Sequence, residues 1–292
     1  MITLVHASDV HFGVPHAAAA AGAFLRAAHA LQPDAVIISG DLTQRAKVAE
    51  YRAAAAFLER LPDVPLVLTP GNHDVPLLRV AERLFAPFRN YRSFIRDDLD
   101  EVTQVKGCTV VSLNTAAPRT AIINGRLSRD QLAFAAEAFA AAPGGDLRVL
   151  VAHHPFAPPP DYEGARAIPG ARRHLMAFVE MGVDLVLGGH LHRAYLANSL
   201  DVLPDPHAGH PIVIAQSGTT TSTRGRARER RRCSFNVVRA DEHSIEVAHH
   251  HFDGEADAFR ASSLHLFPRR PAAWLPGSAG ARLLESVPRT EP

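Results

Sequence analysis

Seven residues with metal-binding side chains recur in this 292-residue chain, each just after a short apolar run. Ile2–Ala7 leads into Ser8-Asp9-Val10-His11, and Ala35–Ile38 leads into Ser39-Gly40-Asp41. Residues 65–68 lead toward Gly71-Asn72-His73-Asp74. Leu147–Ala152 leads into His153-His154-Pro155, and residues 183–187 lead into Gly188-Gly189-His190-Leu191-His192. Imidazole, carboxylate and carboxamide donors suit Mn, Fe, Zn or Ni, and the lack of cysteine argues against a closed structural zinc site. The set Asp9, His11, Asp41, Asn72, His153, His190 and His192 is too large for one ion that keeps an open position. It fits two ions sharing a carboxylate, and Asp41, alone on its loop, is the bridging candidate. Two ions roughly 3.5–4 Å apart can activate a water, neutralise phosphate oxygens and steady a leaving oxygen.

Each residue alone has a plainer explanation. A lone Asp after a strand is more often a helix N-cap, and a lone Asn is more often a turn residue. His190 and His192, two apart, can simply share one face of a strand. These explanations would all have to hold in one ordered series, which favours the metal reading. Gly40, Gly71, Gly188 and Gly189 directly precede donors, where a sharp turn needs positive φ or close backbone approach.

The elements that must position these residues alternate. Apolar runs at 2–7, 35–38, 65–68, 109–113, 147–152, 183–187 and 211–215 read as buried strands. Helical patterns fall at 17–31, 47–61, 77–94, 128–141 and 171–181, and Ser128 with Gln131 forms a capping-box signature. Strands apolar on both faces and separated by helices define the layered α/β class. In such sheets, sites form where several strands deliver their carboxyl-terminal loops to one edge. Beyond residue 183 the pattern turns to strands at 193–200, 211–217, 234–239 and 244–251, expected to complete the sheets in antiparallel fashion. The domain is expected over 1–253. Residues 254–292, rich in Pro, Ala and Arg, are read as an extension that is wrapped on the domain or partly disordered.

Hydrophobic residues make up 47 % and charged residues 21 %, a globular balance, and a net charge of +1 points to no class of partner. Cys108 and Cys233 are too few for a disulfide framework and read as reduced thiols in a cytoplasmic protein. No apolar stretch reaches the eighteen or so residues needed to cross a bilayer. The tract His249-His250-His251 is not read as a metal site, because strand alternation sends His250 to the opposite face. The run 224–232, six Arg with one Glu, reads as a solvated, mobile loop in preference to a contact for nucleic acid or an anionic substrate. His6, His16 and His29 read as packing or surface residues.

The ordered blocks D-x-H, G-D, G-N-H-D, H-H-P and G-G-H-L-H, spanning Asp9 to His192, resemble the calcineurin-like metallophosphoesterase superfamily. The resemblance implies a four-layer α-β-β-α sandwich of two mixed sheets flanked by helices. It implies that Asp9, His11 and His192 bind one ion, that Asn72, His153 and His190 bind a second, and that Asp41 bridges. His73 would face the phosphate as electrophile or as the acid that protonates the leaving oxygen, with Asp74 orienting it. His154 is the alternative to His153. Blocks 70–75, 153–155 and 189–192 are close to the bacterial cyclic-nucleotide and glycerophosphodiester phosphodiesterases, and 217–219 with 234–236 more loosely so. The expected activity is hydrolysis of small-molecule phosphodiesters by a metal-bridging hydroxide, with two divalent or mixed-valence transition ions drawn from Mn, Fe, Zn or Co. No fixed cation is evident in the motif loops, apart from Arg45, and 155–170 is expected to grip the second ester arm. A membrane or nucleic-acid partner is not expected. The alternatives are a phosphomonoesterase, phosphoprotein phosphatase or nuclease on the same site, and a metal-binding scaffold without catalysis.

Overall fold

A computed structural model describes residues 1–160, 166–203 and 211–269. Two six-stranded mixed sheets lie face to face between two layers of helices. Strands β1 (Ile2–Ala7), β2 (Ala35–Ile38) and β3 (Leu66–Leu68) run parallel in the first sheet. Helices α1 (Ala18–Leu31) and α2 (Val48–Leu58) cross between them. Two short helices follow, α3 (Val80–Phe85) and α4 (Arg89–Phe94). The second sheet is opened by β4 (Glu101–Val105) and β5 (Cys108–Leu113). It continues through α5 (Arg129–Ala140), β6 (Leu147–Ala152), α6 (Ala171–Glu180), β7 (Leu185–Gly188), β8 (Tyr195–Asn198) and β9 (Val213–Gln216). Strands β10 (Ser234–Ala240), β11 (Ser244–Asp253) and β12 (Ala258–Pro268) then return to the first sheet.

Side-chain alternation explains the four layers. In β1 and β2, Leu4 and Ile37 point between the sheets, while Val5 and Val36 point out to the helices. In β6 and β7, Val149 and Leu185 point inward, while Leu150 and Val186 meet the opposite helices. Strands apolar on both faces can only be buried this way. Phe24 of α1 with Tyr51 and Phe57 of α2 fill one outer core, and Phe139 of α5 with Leu175 and Phe178 of α6 fill the other.

The structure differs from the sequence reading at three places. The helix expected over 77–94 is split into α3 and α4, because Pro87 removes a backbone donor just past Ala86. A hairpin strand, β4, pairs antiparallel with β5 across a turn in which Gly107 takes φ 78°. Inside the stretch read as an extension, residues 258–268 form β12, the edge strand paired along β11. Residues 270–292 lie outside the described residues. The capping box is present as expected: Ser128 Oγ accepts from the Gln131 amide at 3.1 Å, and Gln131 Oε1 accepts from the Ser128 amide at 3.0 Å. Among the described residues, no helix is long and apolar enough to cross a membrane.

Ile37 is fully buried between the sheets, so Ile37→Ala is expected to lower unfolding free energy by about 2–5 kcal/mol. The urea midpoint, with the slope of the transition unchanged, measures it. A loss under ~1 kcal/mol would mean that the sheets do not depend on this contact.

Candidate metal centre

The carboxyl ends of β1, β2, β3, β6 and β7 meet at one edge of the sandwich, and backbone hydrogen bonds bind their loops together. Asp9 N donates to Gly40 O at 3.0 Å, His11 N to Asp41 O at 2.9 Å, and Gly189 N to His153 O at 3.0 Å. The two sheets are joined here: His190 N donates to Asp9 Oδ2 at 2.9 Å, and His153 Nδ1 faces Ser39 O at 2.8 Å. The loop after β9 closes the edge, since Thr220 N donates to Ser8 O at 3.0 Å and Thr221 Oγ1 donates to Val10 O at 2.5 Å.

The structure brings all seven candidate donors to this edge. Donor atoms of Asp9, His11, Asp41 and His192 lie within 4.8 Å of one another. His11 Nε2 and His192 Nε2 are 3.0 Å apart, and Asp9 Oδ1 is 3.5 Å from the first and 3.2 Å from the second. A second set surrounds Asn72, whose Oδ1 is 3.2 Å from His153 Nε2 and 2.9 Å from His190 Nδ1. Asp41 belongs to both sets. Its Oδ2 faces His11 Nε2 at 3.6 Å and its Oδ1 faces His153 Nε2 at 3.4 Å.

The electrostatics call for cations. Asp9 Oδ1 and Asp41 Oδ2 are buried with no hydrogen-bond partner, and an unpaired buried carboxylate oxygen costs several kcal/mol. Burial opposes charge on both carboxyls, but facing imidazoles outweigh it and hold both below the ordinary range. Burial keeps His11 below its ordinary value, and burial with the nearby His153 pushes His190 down to about 3, so both offer lone pairs at neutral pH. Burial also opposes charge on His153, but the Asp41 carboxylate prevails and pushes it up to about 9. The donor types, the orphaned oxygens and the two imidazole nitrogens in contact fit a pair of transition-metal ions.

The local backbone is bent to reach this arrangement. Asp9, His11, Asp41, His190 and His192 take φ of 50°, 46°, 54°, 73° and 56°. For non-glycine residues this region costs on the order of 1 kcal/mol or more each and concentrates at functional sites. Among the four motif glycines only Gly40 has a left-handed φ, at 98°. Gly189 serves close approach instead: a Cβ there would overlap Ser8 Oγ and the Asp9 carboxylate.

His73 N donates to Asp41 Oδ1 at 2.8 Å, and its ring Nδ1 faces Gln44 O at 2.8 Å. The orienting group is thus the Gln44 carbonyl, and the expected role for Asp74 is corrected. Asp74 is buried and its carboxylate accepts from the amides of Leu42, Thr43 and Gly71 at 3.1, 2.8 and 2.9 Å, so it fixes the loops that carry Asp41 and Asn72. Burial and the charge of Asp41, opposed by those amides, push its carboxyl up to about 7. His154 places Nδ1 on Thr115 Oγ1 at 2.8 Å, and its ring lies 4.6 Å from that of His190.

Of the histidines expected to pack, His6 meets Ser39 Oγ at 2.9 Å, His16 stacks on Phe12 and His29 faces Arg60 O at 3.0 Å. In the 249–251 tract, His249 faces Asn236, His250 stacks on Phe235, and His251 lies 3.4 Å from Glu229.

One side chain not placed at the site by the sequence enters it. Arg224, at the start of the run read as a solvated loop, donates to Gln44 Oε1 at 2.8 Å and lies 3.5 Å from His73 Nε2. The only signal for it was the density of arginine. The adjoining cleft, about 640 Å³, is lined by Asp41, Asn72, His73, His190 and His192, together with basic and apolar side chains. Nothing from the described part of 155–170 lines it. Phe156, Ala157 and Ile168 are buried in the second outer core, and 161–165 lie outside the described residues.

A family model described as calcineurin-like phosphoesterase matches residues 2–194. A cAMP/cGMP dual specificity phosphodiesterase of Mycobacterium tuberculosis is 28 % identical across 73 % of this chain and 66 % of its own length. A probable cyclic nucleotide phosphodiesterase of Rhodococcus erythropolis is 28 % identical across 73 % of this chain and 70 % of its own. The chain thus spans about two thirds of the curated relatives it matches. Among solved structures, a yellow lupin purple acid phosphatase, PPD1, covers 99 % of this chain and 57 % of its own at TM-score 0.63 and 16 % identity. A dimetal phosphatase of Danio rerio covers 92 % and 99 % at TM-score 0.60 and 12 % identity. These two establish the fold alone.

Gly189→Ala is expected to keep the fold by circular dichroism and to weaken Mn binding about 10–100-fold, because the methyl displaces Ser8 and Asp9. Gly144→Ala, in open space, is the control and should bind as the parent does. Equal affinities for parent and Gly189→Ala would count against the crowding at this loop.

Proposed function

The chain belongs to the calcineurin-like phosphoesterase family, and we propose that it is a metal-dependent phosphodiesterase acting on small-molecule phosphodiesters in the cytoplasm. The observation that carries this reading is that Asp41 faces both donor sets. Calcineurin-like phosphoesterases use dinuclear centres. Here Asp9, His11 and His192 would hold one ion, Asn72, His153 and His190 the other, and Asp41 both. Two such ions, when bound, supply an activated water and positive charge for the phosphate oxygens.

The remaining chemistry falls to side chains of the chain. The Gln44 carbonyl holds His73 at Nδ1, leaving Nε2 as the atom that can pass a proton to a departing alkoxide. Arg224, beside that nitrogen, can neutralise charge on the phosphate or the leaving oxygen. The names of the curated relatives support a diester substrate, with cyclic nucleotides and glycerophosphodiesters the first classes to assay. One observation favours a second reading. Arg224 is a fixed cation of the kind a monoester dianion would use, which removes one argument for diesters drawn from the motif loops.

The two readings separate on a panel of Mn, Fe, Zn, Co and Mg. The expected result is a higher kcat/KM for bis-p-nitrophenyl phosphate than for p-nitrophenyl phosphate, and monoesters ahead with every metal would leave a monoesterase. His73→Ala is expected to retain both ions by elemental analysis and to lose activity by ~10²–10⁴-fold on substrates with poor leaving groups. The loss should shrink with nitrophenolate, which leaves without a proton. Equal losses on both would make His73 a phosphate-positioning group.

A further inference from the structure

The cleft is larger and more basic than a simple diester requires. Arg45, Arg224 and Arg226 line it together with Lys47. Arg45 and Arg226 are exposed and Arg224 is half-buried, and among the described residues no carboxylate pairs with any of the three guanidiniums. Glu50 accepts from the backbone amides of Arg45 and Lys47 instead, at 2.7 and 3.3 Å. Arg79, which also lines the cleft, is different, being held by Glu82 at 2.6 Å. Burial and the like charges of Arg226 and Arg45 lower the Arg224 pKa against the pull of Asp41 and Asp9, which places the three arginines in one electrostatic group. A diester brings a single negative charge. With two ions on the Asp and His donors, that charge leaves the guanidiniums uncompensated, and such clusters bind phosphate by bidentate hydrogen bonds.

The same cleft has an apolar side. Leu77, Leu78, Ile122 and Ile123 line it, and Leu78 and Ile123 are 74 % and 70 % exposed. Large apolar side chains left open beside a polar site mark a surface that a ligand covers. A flat base or similar ring is the arm that fits this shelf, and a free phosphate is the group that fits the arginines.

We infer that the preferred substrate is a nucleotide-type phosphodiester carrying a further phosphate group, which Arg45 and Arg226 hold while the diester lies at the metal donors beside His73 and Arg224. The inference rests on the phosphodiesterase reading. The reaction itself is ordinary hydrolysis: one water is consumed, one P–O ester bond breaks, and the water's proton ends on the departing alkoxide.

Two dinucleotides with the same scissile bond test it, ApA and its 5′-phosphorylated form pApA. The metal-loaded protein is expected to prefer pApA at least ~10-fold in kcat/KM, mainly through KM, with the preference falling as salt rises. In the Arg45→Gln/Arg226→Gln variant the ratio should approach one. Equilibrium binding to metal-loaded His73→Ala gives a second readout, in which pApA should bind at least ~10-fold tighter than ApA and lose that advantage when both arginines are replaced. A ratio near one in the parent protein, with bis-p-nitrophenyl phosphate still hydrolysed, overturns the inference and leaves the phosphodiesterase. A rate that climbs with the length of 5′-dephosphorylated oligonucleotides also overturns it, because the arginines would then follow a nucleic-acid backbone. No hydrolysis of bis-p-nitrophenyl phosphate with any metal removes the underlying reading and the inference together.

Discussion

Taking a carboxylate out of water forfeits hydration worth several kcal/mol, and Asp9 and Asp41 are both fully buried with one oxygen each that accepts no hydrogen bond. Five loops from two sheets converge on those two side chains, and much of the surrounding polar structure compensates them. The amide of His190 reaches Asp9 from the opposite sheet, and the amide of His73 reaches Asp41 from the next strand. What the amides leave unsatisfied, the imidazoles face. This explains why donors nearly two hundred residues apart in sequence meet within hydrogen-bond distance.

The backbone shows how such convergence is reached. A strand end that simply continued would carry its side chains past the edge of the sheet. A left-handed residue bends the chain within one residue and re-aims the side chain, and Asp9, His11, Asp41, His190 and His192 all take that conformation. The strain is sustained by rigid surroundings: strands apolar on both faces, a sealed layer between the sheets, and the Asp74 carboxylate tying three loop amides together. Asp74 is thus a structural counterpart to Asp41, buried beside it and facing away from the cleft.

Much of this was legible from the chain. The near-continuous apolar runs of β1, β2, β6 and β7 mark strands buried on both faces, and the repeated placing of Asp, Asn or His just past them marks the edge where they gather. Helix α5 was announced by its capping box. What stayed hidden depends on tertiary context. Strands β4 and β12 are edge strands in which polar residues interrupt the apolar ones and most side chains are at least partly exposed, so neither forms a continuous apolar run. Arg224 belongs to a run whose composition says surface, and only the fold shows that its first member turns inward to Gln44. Asp74 sits beside His73 in sequence, and adjacency suggested an orienting role. Their side chains diverge because the 72–74 turn sends one to the cleft and the other beneath it.

Strand β1 lies in the middle of the first sheet, yet its two neighbours are unlike. It pairs with β2 about thirty residues on, as in Val5 with Val36, and with β10 more than two hundred residues on, as in Val5 with Val237. During synthesis β1 therefore keeps one open edge until nearly the whole domain has been made. The loop that carries Asp9 and His11 waits equally long, since Ser8 and Val10 are anchored by Thr220 and Thr221 from the segment just before β10. The region matched by the family model stops at residue 194, short of every one of these anchors. Long-range closure of this kind is slow, because the chain entropy lost in bringing distant segments together comes before the contacts that offset it. The metal-binding edge is consequently among the last parts of the molecule to take shape, and a chain that ended at residue 194 would hold all seven donors without the segment that anchors the Asp9–His11 loop.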